Sequence, residues 1–198
     1  MRVACVVESS KIYGPGSRTV LWLQGCSIRC DQCWNDELWS FEGGEEISFS
    51  DLIEIAAKNG DIGFTLLGGE PLDQAPAVSQ FISQVQGHGL DIVLYTGYEL
   101  HELSNIQQMC VSAADITIHG RYVHDLRSEQ LLWRGSTNQQ ILVQNPKYSA
   151  LDLTEKRQME IHINEGGGVK VIGYPTPELL ESIASRNGML SSRKLKGE

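Results

Sequence analysis

The chain has 198 residues, 41% hydrophobic and 21% charged, with a formal net charge of −9 from 16 Lys and Arg against 25 Asp and Glu. That length suits a single domain with a sizeable core, expected over residues 1–198. The acidity argues against a nucleic-acid footprint and fits plain solubility. No segment approaches the ~20 apolar residues of a membrane span. The opening MRVACVVESSK meets Glu8 too soon for a signal peptide, so a cytoplasmic, membrane-free protein is expected.

In chain order, residues 2–7 and 18–24 read as two strands around a Gly-Pro-Gly turn at 14–16. Residues 25–46 read as loop, with room for one helical turn. Ser48 or Ser50 caps a helix to about Lys58, with Leu52, Ile53, Ile55 and Ala56 as its apolar stripe and Gly60 as its stop. A buried strand over 61–67 ends at Gly68-Gly69, and a helix follows over 75–86 with Val78, Phe81, Ile82 and Val85 inward. Residues 90–96 form the next strand. A helix over 99–109 follows, its apolar side made of Leu100, Leu103, Ile106 and Met109, and then a short strand at 115–118. This alternation predicts a parallel sheet with crossover helices.

Beyond it, residues 140–144 read as a strand. Residues 158–164 and 168–172 read as a hairpin turned by Glu165 and a glycine run. A helix over 176–186 with Pro177 in its first turn and a flexible tail over 189–198 complete the chain.

Cysteines stand at 5, 26, 30, 33 and 110, an odd number that argues against a disulfide framework. Cys26, Cys30 and Cys33 make a C-x3-C-x2-C triplet in the loop 25–35, directly after a strand. Thiolates so spaced can converge on one iron–sulfur centre. Zinc is the rival, and it would need a distant fourth ligand such as Cys110 or a histidine. Three ligands to a four-iron cluster leave one iron open for chemistry, whereas an electron-transfer ferredoxin would normally bring a fourth cysteine. The next strand ends in Gly68-Gly69-Glu70-Pro71. Ligands sit at the C-terminal ends of parallel strands, so this turn and the cysteine loop should share one end of the sheet. The glycines permit close backbone approach, and Glu70 can pair with an ammonium group. Cys5 and Cys110 read as buried small hydrophobes.

The triplet followed by Trp34, together with the Gly-Gly-Glu turn, resembles the radical S-adenosylmethionine superfamily. More narrowly the chain resembles glycyl-radical-enzyme activases of the anaerobic ribonucleotide reductase type, over GPGSRTVLWLQGCSIRCDQCWN at 14–35, LLGGEPL at 66–72, YTGY at 95–98, HGRYVHDLR at 119–127 and WRGSTNQ at 133–139. The resemblance implies a partial (β/α) barrel of mostly parallel strands, open on one side, beside the C-terminal hairpin and helix. It implies one 4Fe–4S cluster on Cys26, Cys30 and Cys33, with S-adenosylmethionine chelating the fourth iron. Glu70 and the Gly68-Gly69 backbone would hold its amino group, Trp34 would pack near the cluster or adenine, and Thr96 is a candidate polar contact as well as a turn residue.

The implied partners are a glycyl-radical enzyme as protein substrate and a flavodoxin- or ferredoxin-type electron donor. The short chain and the absence of further cysteine clusters agree with a protein substrate closing the open side. A radical enzyme acting on a small molecule or nucleotide is the alternative, and a non-catalytic iron–sulfur or zinc interaction module the third. The chain departs from the resemblance at Asp31-Gln32, where Pro-Gly is usual, and at His119-Gly120, where Asp-Gly is usual. His119 reads as a surface loop residue in preference to a catalytic one. Arg134 is balanced between a substrate contact and a loop-shaping role.

Overall fold

The computed structural model describes residues 1–128, 130–154, 159–163, 166, 168–173, 181 and 182. Its main element is an open seven-stranded sheet. In chain order the strands are β1 (Arg2–Ser10), β2 (Arg18–Leu23), β3 (Glu45–Glu46), β4 (Gly63–Gly68), β5 (Asp91–Thr96), β6 (Ile116–His119) and β7 (Gln140–Val143). They lie side by side in the order β3-β1-β2-β4-β5-β6-β7. The expected alternation forms the centre, where β2, β4, β5 and β6 are parallel neighbours. Both margins are antiparallel: β1 pairs with β2 and β3, and β7 with β6. A short loop can join antiparallel strands but cannot make a parallel crossover, and this explains the 11–17 link between β1 and β2. The two-residue β3 carried no sequence signal.

Three helices, α1 (Phe49–Asn59), α2 (Ala75–Gly87) and α3 (Asn105–Ala113), make the crossovers. Ser48 is the cap of α1, its hydroxyl accepting from the Asp51 amide at 3.2 Å, and Gly60 ends the helix in the left-handed conformation at φ 68°. The alternation of each strand sends Leu21, Leu23, Phe64, Leu66, Ile92 and Leu94 to the helical side, where they meet Leu52, Val78, Phe81, Ile82 and Val85. Each such burial is worth about 1.5–3 kcal/mol. Val20, Trp22, Leu67 and Tyr95 line the other face.

One helix differs from expectation. Residues 100–102 form a separate short turn, and Ser104 then starts α3 afresh through a capping box with Gln107. The register resets, so Cys110 and Val111 are buried while Met109 is 59% exposed. Ile106, also expected inside, is on the outside too.

β8 (Met159–Ile163) and β9 (Val169–Gly173) form the expected separate hairpin. Ile172 reaches into the cluster on the non-helical face, and the Glu160 carboxylate accepts the Ser10 hydroxyl at 2.8 Å and the Lys11 amide at 2.6 Å. Gly166 belongs to the hairpin turn, whereas Glu165 and Gly167 lie outside the described residues. So do the tail over 189–198 and the expected 176–186 helix, except for Glu181 and Ser182, which are helical.

An aspartate stands at the entry of each successive central strand. Asp61 accepts the Ser17 and Thr19 hydroxyls, both at 2.7 Å. Asp91 meets Arg18 at 2.5 Å, Lys147 at 3.0 Å and the Tyr148 hydroxyl. Asp115 accepts the Ile92 amide at 2.7 Å and Asn145 at 2.6 Å. Burial alone would raise the Asp91 pKa, but the Arg18 guanidinium, helped by Tyr148 and Lys147, holds it below the usual carboxylate range. These staples fix the N-terminal end of the sheet. The loops at the opposite end hold the cysteine triplet and the Gly68-Gly69-Glu70 turn.

Candidate iron–sulfur site

Four loops leave the C-terminal ends of the parallel strands. β2 leads into the cysteine loop, β4 into the Gly68-Gly69-Glu70 turn, β5 into Thr96-Gly97-Tyr98, and β6 ends on His119. The first two are in backbone contact: the Gly69 amide donates to the Leu23 carbonyl and the Glu70 amide to the Gly25 carbonyl, each at 2.8 Å. A Cβ on Gly69 would stand 2.1 Å from the Gly25 oxygen, so only glycine fits. Gly68, at φ 119°, is likewise pressed against Leu23.

Cys26 is buried, and Cys30 and Cys33 are half-buried. Arg29 and Gln32, each just before a cysteine, adopt left-handed backbone at φ 51° and 52°. That conformation costs a non-glycine residue ~1–2 kcal/mol, and it turns amides inward as in an anion-binding nest. Backbone amides point at all three sulfurs: Ile28 and Arg29 toward Cys26, Tyr122 toward Cys30, and Asn35 toward Cys33 at 3.4 Å. Amide donors of this kind tune iron–sulfur ligands.

Burial raises the Cys26 thiol pKa, and Glu70 and Asp73 add to the rise against the Ile28 and Arg29 amides. Burial also raises Cys30, against the Tyr122 amide. A bound metal would supply the charge that holds both as thiolates. Among the described residues no three His, Cys, Asp or Glu side chains stand together as a single-ion site. Cys110, the suggested fourth zinc ligand, is buried in the helical-side core with its thiol on the Ala75 carbonyl at 3.4 Å and its pKa pushed up to about 11 by burial. Cys110 therefore sits in the core between the helices and the sheet, not in the loop that carries the triplet.

Glu70 is 2% exposed and accepts three donors: the Leu72 amide and Thr96 hydroxyl on Oε1, each at 2.9 Å, and the Gly97 amide on Oε2 at 2.8 Å. Burial pushes its pKa up to about 7 against those donors. Thr96 thus serves Glu70 directly, and it also accepts the Tyr98 amide at 3.1 Å. Trp34 is 39% exposed and carries the Arg127 guanidinium 4.6 Å above its ring.

His119 is not a surface residue. β6 runs one residue further than expected, so His119 is paired in register between Thr96 and Gln140, only 5% exposed, with Nδ1 3.7 Å from the Glu99 carboxylate. Arg134 shapes its loop, with a long 3.5 Å bond to the Gln139 carbonyl. The stretches 119–127 and 133–139 pack on each other, since Gln139 Nε2 donates to the Gly120 carbonyl at 2.9 Å and Asn138 to the Arg121 carbonyl at 2.8 Å.

Asp73 and Ser27 carry no recognisable motif or periodicity. Ser27 donates to Asp73 through its amide at 2.6 Å and its hydroxyl at 2.9 Å, and the Tyr98 hydroxyl donates to the same carboxylate at 2.9 Å. Each is a common loop residue without periodicity, and only the folded turns bring them together.

A family model described as a 4Fe-4S single cluster domain matches residues 12–142. The anaerobic ribonucleoside-triphosphate reductase-activating protein of Escherichia coli K12 is 32% identical over 139 residues, 65% of this chain and 89% of that protein. Its namesake from Vibrio cholerae serotype O1 is 34% identical over 141 residues, 66% of this chain and 90% of that one. The namesake from Enterobacteria phage T4 is 32% identical over 137 residues, 66% and 86%. Among solved structures, QueE from Escherichia coli aligns at 16% identity over 60% of this chain and 69% of that one, with a TM-score of 0.44, a likeness too slight to carry an argument. The matched span holds the cysteine loop and the Gly-Gly-Glu turn, and the chain belongs to the 4Fe-4S single cluster domain family and to that of the anaerobic ribonucleoside-triphosphate reductase-activating proteins.

Proposed function

We propose that the protein is an activase that uses S-adenosylmethionine to install a glycyl radical in a partner enzyme of the anaerobic ribonucleotide reductase type. The observation that carries this reading is the cysteine triplet, with amides aimed at every sulfur, in backbone contact with the Gly68-Gly69-Glu70 turn. The names of the relatives support the choice of partner. A single domain over residues 1–198 working in the cytoplasm is part of the same proposal. Among the described residues no helix is long and apolar enough to cross a membrane.

Cys26, Cys30 and Cys33 would hold the cluster, leaving one iron for the methionyl amino and carboxylate groups. When bound and reduced by a flavodoxin- or ferredoxin-type donor, the cluster supplies the electron that splits S-adenosylmethionine into methionine and a 5′-deoxyadenosyl radical. Among the described residues Glu70 Oε2 has a single donor, so a lone pair there is open to an ammonium group. Thr96 and the Leu72 and Gly97 amides hold that carboxylate in place. Gly68 and Gly69 keep the turn close to the loop. Trp34, braced by Arg127, offers an aromatic surface for the cluster edge or adenine.

The test is anaerobic reconstitution and reduction with S-adenosylmethionine, followed by product analysis. Methionine and 5′-deoxyadenosine are expected. A protein that loads the cluster but leaves the cofactor intact would refute the reading, and stoichiometric modification of a free small molecule would move it to a different substrate class.

A further inference from the structure

We propose that Asp73 is a positioning residue that locks the cysteine loop to the two turns around Glu70 and so sets the span that S-adenosylmethionine must bridge. The inference rests on the functional reading above. The entry of the loop is fixed by backbone: Gly25 and Cys26 donate to the Leu38 and Trp39 carbonyls at 2.9 and 3.2 Å, and Gly25 accepts from Glu70 at 2.8 Å. Just past Cys26 the ties become side-chain ones. Ser27 is exposed, yet its amide and hydroxyl both end on the Asp73 carboxylate at 2.6 and 2.9 Å. The Tyr98 hydroxyl ends on the same carboxylate at 2.9 Å and lies 3.0 Å from the Ser27 hydroxyl.

Asp73 belongs to the turn that carries Glu70, and Tyr98 to the turn whose Thr96 and Gly97 hold Glu70. One carboxylate therefore joins the residue beside a cluster ligand to both turns that position the ammonium partner. Ile28 packs over Gly97, where a Cβ would meet its Cδ1 at 2.8 Å, and closes the same seam.

A ligand attached at two points binds tightly only when the points are held at the right separation. On the functional reading the methionyl end has two such points, the open iron and the Glu70 turn. Asp73 fixes one against the other through charge-assisted hydrogen bonds, the stronger class. Its charge also reaches both Cys26 and Glu70, adding to the rise that burial gives the pKa of each.

The experiment uses the full chain, reconstituted anaerobically, in wild-type, Asp73→Asn, Tyr98→Phe, Ser27→Ala and Asp73→Asn/Ser27→Ala forms. Iron content, apo-protein melting temperature and the change in the reduced cluster's electron paramagnetic resonance signal with S-adenosylmethionine are recorded. Asp73→Asn should keep its iron yet need about tenfold more S-adenosylmethionine for the half-maximal change, the loss expected of weakened charge-assisted bonds. Tyr98→Phe should need about two- to fivefold more, having lost one donor. Ser27→Ala should add little once Asp73 is already changed, because the coupled term is gone. A wild-type titration in Asp73→Asn overturns the inference. If that variant fails to load iron, a wild-type titration in Tyr98→Phe overturns it. A wild-type protein with no cofactor-dependent change overturns the functional reading and the inference with it.

Discussion

Gly69→Ala tests the contact between the cysteine loop and the turn after β4. The new Cβ would lie 2.1 Å from the Gly25 oxygen, 2.7 Å from its carbon and 3.1 Å from the Leu38 oxygen. All three are backbone atoms, so no side chain can swing aside. Relief requires the two segments to part by roughly 1 Å, judged by ordinary contact distances. That movement breaks or weakens the two 2.8 Å bonds from Gly69 to Leu23 and from Glu70 to Gly25. At about 0.5–1.5 kcal/mol each, with overpacking strain of about 1–3 kcal/mol, the sum is about 2–6 kcal/mol. A domain of this size has about 5–15 kcal/mol in total.

The assay is anaerobic denaturant unfolding of the apo-protein, with iron retention measured after reconstitution. Gly60→Ala is the control: Gly60 is left-handed at φ 68° with nothing within 4 Å, so it should lose only ~1–2 kcal/mol of backbone preference. Gly69→Ala should lose more and retain less iron. A Gly69→Ala protein within about 0.5 kcal/mol of wild type, the size of an ordinary surface change, and with its cluster intact would refute the close-approach argument.

Other outcomes follow from the same structure. Cys26→Ala, Cys30→Ala and Cys33→Ala should each abolish loading of about four irons and four sulfides, while Cys5→Ala and Cys110→Ala keep it; tight zinc binding that depends on Cys110 would contradict this. Glu70, raised to about 7, keeps its proton in the folded state after the unfolded chain has lost it, so its contribution to stability falls as pH rises through that interval and levels off above it. Ammonium binding needs the ionised form, so the S-adenosylmethionine response should strengthen as pH rises through about 7, and Glu70→Gln should remove that dependence; a pH-independent wild-type titration would count against Glu70. Gln32→Gly should stabilise the apo-protein by about 0.5–1 kcal/mol, as relief of the φ 52° strain outweighs the added chain entropy, which denaturant midpoints will register. Asp91→Ala leaves the fully buried Arg18 without its carboxylate and should cost about 3–5 kcal/mol in the same assay.

The central strands were readable because residues 61–67 and 90–96 are mostly apolar stretches, each bounded by glycine on both sides. The cysteine triplet and the Gly-Gly-Glu turn were readable because each is local in sequence, lying within a single loop that follows a strand. What escaped depends on register or tertiary context. Leu100, Leu103, Ile106 and Met109 keep helical spacing, but the break at Ser104 rotates the helix so that Cys110 and Val111 face inward. His119 looked like a loop residue because a strand's last residue has no local marker. Asp73, Ser27 and Tyr98 meet only after β4 and β5 are aligned. Thr96 was legible as a polar residue at a strand end, but its bond to Glu70 was not.

The most direct test of the account joins the reconstituted, reduced protein with S-adenosylmethionine and the cognate anaerobic ribonucleotide reductase, followed by electron paramagnetic resonance. The account predicts a glycine-centred doublet on the reductase that needs all three of Cys26, Cys30 and Cys33. A reductase that stays radical-free while wild-type protein consumes S-adenosylmethionine would contradict it.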